Sequence, residues 1–170
     1  MLSAFLGYLW SFTRIFIKAP SGRQGFNVLG AINAISKELV LVTNTSYITS
    51  IQVCEMLVKI ALSRTQAVPI TIVLDNARYQ RCKLVMEKAA ELGIELLFLP
   101  PYSPNLNLIE RLWKFVKKEV LYGKYYDQFD KFQAAITNCL EETERKHKKA
   151  LDSLLRLKFQ TFEETKVVAL

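Results

Sequence analysis

Hydrophobic and polar positions along the chain switch between a period near two and a period near 3.6, and the switches mark out its elements. Ile70, Ile72, Val73 and Leu74 follow Pro69 as a short β-rich run, the pattern of a strand buried on both faces, and Asn76 and Ala77 open a turn after it. Cys82, Val85, Met86, Ala89 and Leu92 then recur at helical spacing until Gly93 supplies a C-terminal stop. A second apolar run, Ile94 to Leu99, ends at Pro100 and Pro101. Strand, helix and strand in this order form a βαβ unit, so the Ile70 and Ile94 strands should be parallel with a right-handed crossover.

Upstream, residues 4–17 alternate imperfectly and end in Arg14-Ile15-Phe16-Ile17, which predicts a strand before a loop over 18–25. Two strands follow, Phe26 to Ala34 and Glu38 to Thr43, joined tightly enough at Ser36-Lys37 for a hairpin. Thr49 with Gln52 makes a capping box, and Ile51, Cys54, Val58 and Ala61 carry a helix to about Ser63. Downstream, Ile109, Leu112, Trp113, Val116 and Val120 form one apolar stripe. A last helix, about Gln128 to Lys148, places Phe129, Phe132, Ile136, Cys139, Leu140 and Thr143 on one face. The expected fold class is α/β, with one domain over 1–150 and a C-terminal tail over 151–170.

At 170 residues the chain is long enough to bury a real core, and 51% hydrophobic content with 6 Gly and 5 Pro excludes a disordered chain. A net charge of +7 favours a polyanionic partner. Cys54, Cys82 and Cys139 are odd in number and widely spaced, with only His147 beside them, which argues against zinc or a disulfide framework and for reduced thiols. The apolar start, Leu2 to Phe12, is about half the length of a membrane-spanning helix and is followed by Arg14 and Lys18, so it reads as core and no membrane is implied. The basic run at 144–149 reads as a solvated helix end, with His147 a surface residue.

Two acids stand out against this background. Asp75 closes a strand, where open α/β sheets place ligands; it also suits a helix N-cap. Glu110 lies three residues after Asn107, which forms a capping box; it also sits in the first turn of a helix packed beside the strand ends. Together the pair could share a hard divalent cation, since Mg²⁺ is usually held by one or two carboxylates with phosphate oxygens. Lys114 and Lys117 fall within roughly 40° of Glu110 around the helix axis. They suit either an i,i+4 pair with that glutamate or a grip on a nucleic-acid backbone.

Asp75-Asn76-Ala77 followed by Leu99-Pro100-Pro101-Tyr102-Ser103-Pro104-Asn105-Leu106-Asn107-Leu108-Ile109-Glu110-Arg111-Leu112-Trp113 resembles the second half of the catalytic domain of mariner-like transposases and their bacterial insertion-sequence relatives. The 34 residues between Asp75 and Glu110 match that group's spacing, and the resemblance runs from about Phe5 to Leu140. It implies a ribonuclease-H-like mixed sheet flanked by helices, and an Asp-Asp-Glu triad holding Mg²⁺, or Mn²⁺ in its place, in which Asp75 and Glu110 are catalytic metal ligands. It further implies DNA as the partner, both element ends and target, with Lys114, Lys117, Lys118, Arg78 and Arg111 as contacts. A homodimer, a bacterial cytoplasmic and nucleoid setting, and no small-molecule cofactor complete the expectation. Gln80, Asn105 and Leu108 depart from residues common in the group (His, Asp and Pro), without removing a triad ligand. Only Glu38 and Glu55 precede Asp75 among acids, and neither lies in a matching motif. The first aspartate and the central first strand that carries it are therefore expected to be missing, and the chain alone to be inactive.

Overall fold

The computed structural model describes residues 12–13, 25–64, 68–101 and 103–159. Of the strand expected over 4–17, only Phe12 and Thr13 fall among them, in a bend. The first hairpin pairs β1 (Asn27–Ile32) with β2 (Leu39–Asn44) antiparallel, in register from Asn27 with Asn44 to Ile32 with Leu39. Its turn is shaped by Asn33, whose side-chain oxygen accepts from the amides of Ile35 at 2.9 Å and Ser36 at 3.0 Å. Lys37 closes it with a positive φ of 67°, and its ammonium donates to the carbonyl of Leu155 at 2.9 Å.

Helix α1 (Ser50–Ser63) begins with the expected capping box. Thr49 accepts from the Ile51 amide at 3.3 Å, and Gln52 accepts from the Thr49 amide at 2.9 Å. Its fully buried residues are Val53, Met56 and Leu57, whereas Ile51 is 65% exposed, so the buried face is rotated from the stripe read off the sequence. The βαβ unit follows as β3 (Ile70–Leu74), α2 (Lys83–Glu91) and β4 (Ile94–Phe98), with β3 and β4 parallel as expected. Gly93 takes φ 63° after α2, a conformation a side chain would strain.

The expectation that β3 is buried on both faces is corrected: Val73 and, on β4, Leu97 are 44% and 52% exposed. Ile70, Ile72, Ile94 and Leu96 point the other way, into a cluster with Val53, Leu57, Val85 and Ala89 of α1 and α2. Both covering helices pack on that one side, so the strands alternate as half-buried ones do. Leu29 of β1 joins the same cluster, while Val28 and Ile32 pack into a second one, so the hairpin carries helices on both faces. Among the described residues the sheet is present as two pairs, β1 with β2 and β3 with β4.

The second cluster is built by α3 (Leu108–Val116), a π turn over Lys117–Leu121, α4 (Phe129–Glu141) and α5 (Lys148–Leu154). The single last helix expected to Lys148 is broken. A 3₁₀ turn at Glu142–Glu144, where buried Thr143 donates to the carbonyl of Leu140 at 2.7 Å, redirects the chain. That redirection returns Leu151 and Leu155 to the core, at 5% and 1% exposure, so packed structure continues past the 150/151 boundary and into the expected tail. His147, expected at the surface, instead packs edge-on against Phe115, ring centroids 5.1 Å apart. The basic run is thus the α4–α5 connection and the start of α5, with Lys146 paired to Glu142 at 3.3 Å.

Candidate active site

Asp75 follows directly on β3 and is exposed. Its Oδ1 accepts from the amide of Ala77 at 3.1 Å, a local turn, and α2 starts only at Lys83 after Cys82. The helix-cap reading of Asp75 is therefore overturned. Asn76 donates its side-chain amide to the carbonyl of Leu99, while the Leu99 amide donates to the Leu74 carbonyl at 2.9 Å. The ends of β3 and β4 are thereby tied together just where Asp75 emerges.

From Leu99 the chain passes Pro100 and Pro101, turns at Pro104–Leu106, and enters α3 at Asn107. The Asn107 side chain caps the helix by accepting from the Ile109 amide at 3.3 Å. The expected capping box stays half-formed, because among the described residues the Glu110 carboxylate has no hydrogen-bond or ion-pair partner. Asp75 and Glu110 line one cleft of about 140 Å³, walled by Asn76, Leu99, Pro100, Pro101, Ser103 and Asn107. Two carboxylates without a cation partner in one cleft are a hard-oxygen donor set, which suits Mg²⁺ or Mn²⁺. Among the described residues no group of three His, Cys, Asp or Glu side chains is placed to hold a metal ion. Burial, and secondarily the charge of Asp75, raises the pKa of Tyr79, so that phenol stays neutral beside the cleft.

The height of α3 on the hairpin is set by Gly30. A Cβ there would lie 2.8 Å from Cζ2 and 2.9 Å from Cη2 of Trp113, and 3.3 Å from Cδ1 of Ile109. The bare backbone lets the indole lie directly on β1, one helical turn from Glu110. Sequence reading missed this residue; its only signal was a glycine inside a strand pattern. Asn76 was missed as the tie between strand ends.

Lys114, Lys117, Lys118 and Arg78 are exposed and free of ion pairs among the described residues. Arg111 differs from these cations. Its guanidinium donates to the carbonyls of Leu154 at 3.4 Å, Arg156 at 2.7 Å and Lys158 at 3.0 Å, and lies 5.2 Å from the ring centre of Phe159. It is tied to the chain after α5.

A family model described as DDE superfamily endonuclease matches residues 13–133, well over half of the chain. The chain belongs to the DDE superfamily of endonucleases. Its structure is similar to the crystal structure of the Mos1 strand transfer complex, with a TM-score of 0.55 at 15% identity, over 95% of this chain and 53% of that one. That likeness shows the ribonuclease-H-like fold for this DDE chain. It is also 36% identical over 47 residues to the uncharacterized protein y4pE/y4sA of Sinorhizobium fredii (strain NBRC 101917 / NGR234), covering 28% of this chain and 33% of that protein. The DDE chain thus spans about half of the Mos1 chain and a third of the curated relative. No helix among its described residues is long and apolar enough to cross a membrane.

Proposed function

We propose that this DDE domain is the catalytic-domain portion of a mariner-like insertion-sequence transposase, carrying two of the three carboxylates that act on DNA. The observation that supports this reading is the meeting of Asp75 and Glu110, from a strand end and a helix start, in one cleft without cation partners. Asp75 and Glu110 would hold Mg²⁺, with Mn²⁺ as substitute. Bound there, a divalent cation supplies Lewis-acid activation of a water or a 3′-hydroxyl and charge neutralisation at the scissile phosphate. The chain's own contribution is positional. Asp75 is fixed by its turn to Ala77 and by the Asn76 tie to β4, and Glu110 is fixed by the capped helix seated on Gly30. Lys114, Lys117, Lys118 and Arg78 grip the phosphate backbone of element ends and target, in the bacterial cytoplasm and with a second copy of the chain as partner.

Among the described residues no third carboxylate lines the cleft. Glu55 is on α1, paired to Lys59 at 3.0 Å, and Glu38 is in the β1–β2 turn, bonded to Ser36 at 3.0 Å; neither lines the cleft. The chain alone should therefore hold a divalent cation weakly and leave supercoiled DNA intact. The test is Mg²⁺- and Mn²⁺-dependent nicking beside Mn²⁺ titration followed by electron paramagnetic resonance. Strong nicking abolished by Asp75→Ala would show that two carboxylates suffice, and Mn²⁺ binding indifferent to Asp75→Asn and Glu110→Gln would refute the site. The incomplete donor set among the described residues also favours a second reading, a DNA-binding remnant without catalysis. Gel shifts without nicking, even when a first-strand aspartate is restored upstream, would select it.

A further inference from the structure

The chain leaves α5 at Leu154 and runs along α3 as a strap over residues 155–159, pinned from two elements. Leu155 is 1% exposed, with its carbonyl taken by Lys37 of the hairpin turn. Arg111 meets the carbonyl of Leu154, the last residue of α5, and those of Arg156 and Lys158 after it. A guanidinium is the side chain suited to this, because its planar fork offers five donors in fixed directions. Phe159 closes the contact over the same group.

The strap carries Arg156 and Lys158, both exposed and free of ion pairs among the described residues. Lys114 falls within roughly 60° of Arg111 around the helix axis, and Lys118 lies in the π turn that continues α3. Lys59, Lys83, Lys88, Lys131 and Lys146 each meet an acid within 4 Å. Here the cations are left unpaired, on the helix that carries Glu110.

We infer that Arg111 is a positioning residue, a clamp for the C-terminal strap, and that Arg156 and Lys158 held by it extend the α3 lysines into one basic band for a DNA backbone. This rests on the DNA-binding reading above. As a clamp, an arginine next to Glu110 governs how tightly a polyanion is held through the strap it positions.

The test uses the whole 170-residue chain, a fluorescent 30-base-pair duplex and anisotropy over a salt series. Each phosphate contact contributes about −0.9 to the slope of log K against log salt. Arg156→Ala with Lys158→Ala should flatten the slope by about 1.8. Arg111→Lys keeps the charge and removes the fork, and should flatten it equally, with no further loss when all three changes are combined. Tryptic cleavage after Arg156 and Lys158 should accelerate in Arg111→Lys, with cuts elsewhere unchanged. Three results would overturn the clamp: wild-type slope in Arg111→Lys, a further loss in the triple variant, or unchanged cleavage of the strap. Wild-type binding by the strap double variant, while Lys114→Ala and Lys118→Ala weaken binding, would refute the band and leave the DNA-binding reading intact. Absence of DNA binding at low salt in the wild-type chain would refute both.

Discussion

Gly30→Ala tests whether the close seating of α3 on β1 holds Glu110 in place. The new methyl would stand 2.8 Å and 2.9 Å from two carbons of the Trp113 ring, inside the ordinary separation of about 3.5–4.0 Å. Strand or indole must therefore move by roughly 0.7 Å to restore normal contact. Neither moves freely. Gly30 is held in register opposite Leu41, and Trp113 packs against the larger core cluster. Overpacking of this kind costs about 1–3 kcal/mol, and replacing glycine in a strand returns roughly 0.5–1 kcal/mol of unfolded-chain entropy. The net destabilisation should be about 0.5–2 kcal/mol, or a fall in Tm of roughly 1–8 °C for a domain of this size. Differential scanning fluorimetry and urea melts measure it, and Mn²⁺ titration should show weaker binding because the displaced helix carries Glu110. Trp113→Phe removes the offending ring atoms, so the double variant should lose much less than the sum of its parts. An unchanged or raised Tm in Gly30→Ala, or a full penalty persisting beside Trp113→Phe, would refute the reasoning.

Other outcomes follow from the same geometry. Asp75→Asn and Glu110→Gln should each lower Mn²⁺ affinity clearly while moving Tm little, since Asn can still accept from the Ala77 amide and Glu110 has no partner among the described residues; equal affinity in both variants would contradict the site. Thr49→Ala removes the α1 cap and should cost about 1 kcal/mol in a urea melt, a loss that should be absent if the cap formed only in isolation. Lys114→Ala and Lys117→Ala should each flatten the DNA salt slope by about 0.9; unaltered slopes would move the contact elsewhere. Burial raises the Cys139 thiol to about 11, with the nearby Glu119 and Glu142 charges adding to it. Because the unfolded thiol ionises first as pH rises, folding loses stability from about 9 upward, at up to about 1.4 kcal/mol per pH unit. The stability difference between wild type and Cys139→Ala, measured in urea at pH 8 and 10.5, should therefore shift in favour of the variant at the higher pH.

Local signals in the sequence determined the βαβ unit, the hairpin, the Thr49 capping box and the placement of Asp75 and Glu110 at the mouth of the strands. Each rests on short-range physics: side-chain periodicity, a glycine at positive φ, prolines that stop a strand, and hydroxyl or amide caps. Asp75 and Glu110 line one cleft because β3 lies beside β4, whose end leads by one loop into α3. What only the tertiary structure decided was the use of groups that several partners compete for. Arg111 reads as a free cation until the chain more than forty residues later folds back and offers carbonyls to its fork. The last helix breaks at Glu141 because Leu151 and Leu155 gain more by returning to the core than by continuing along one axis. The outward faces of Val73 and Leu97 depend on which side α1 and α2 take, and an apolar run shorter than two helical turns carries no record of that choice.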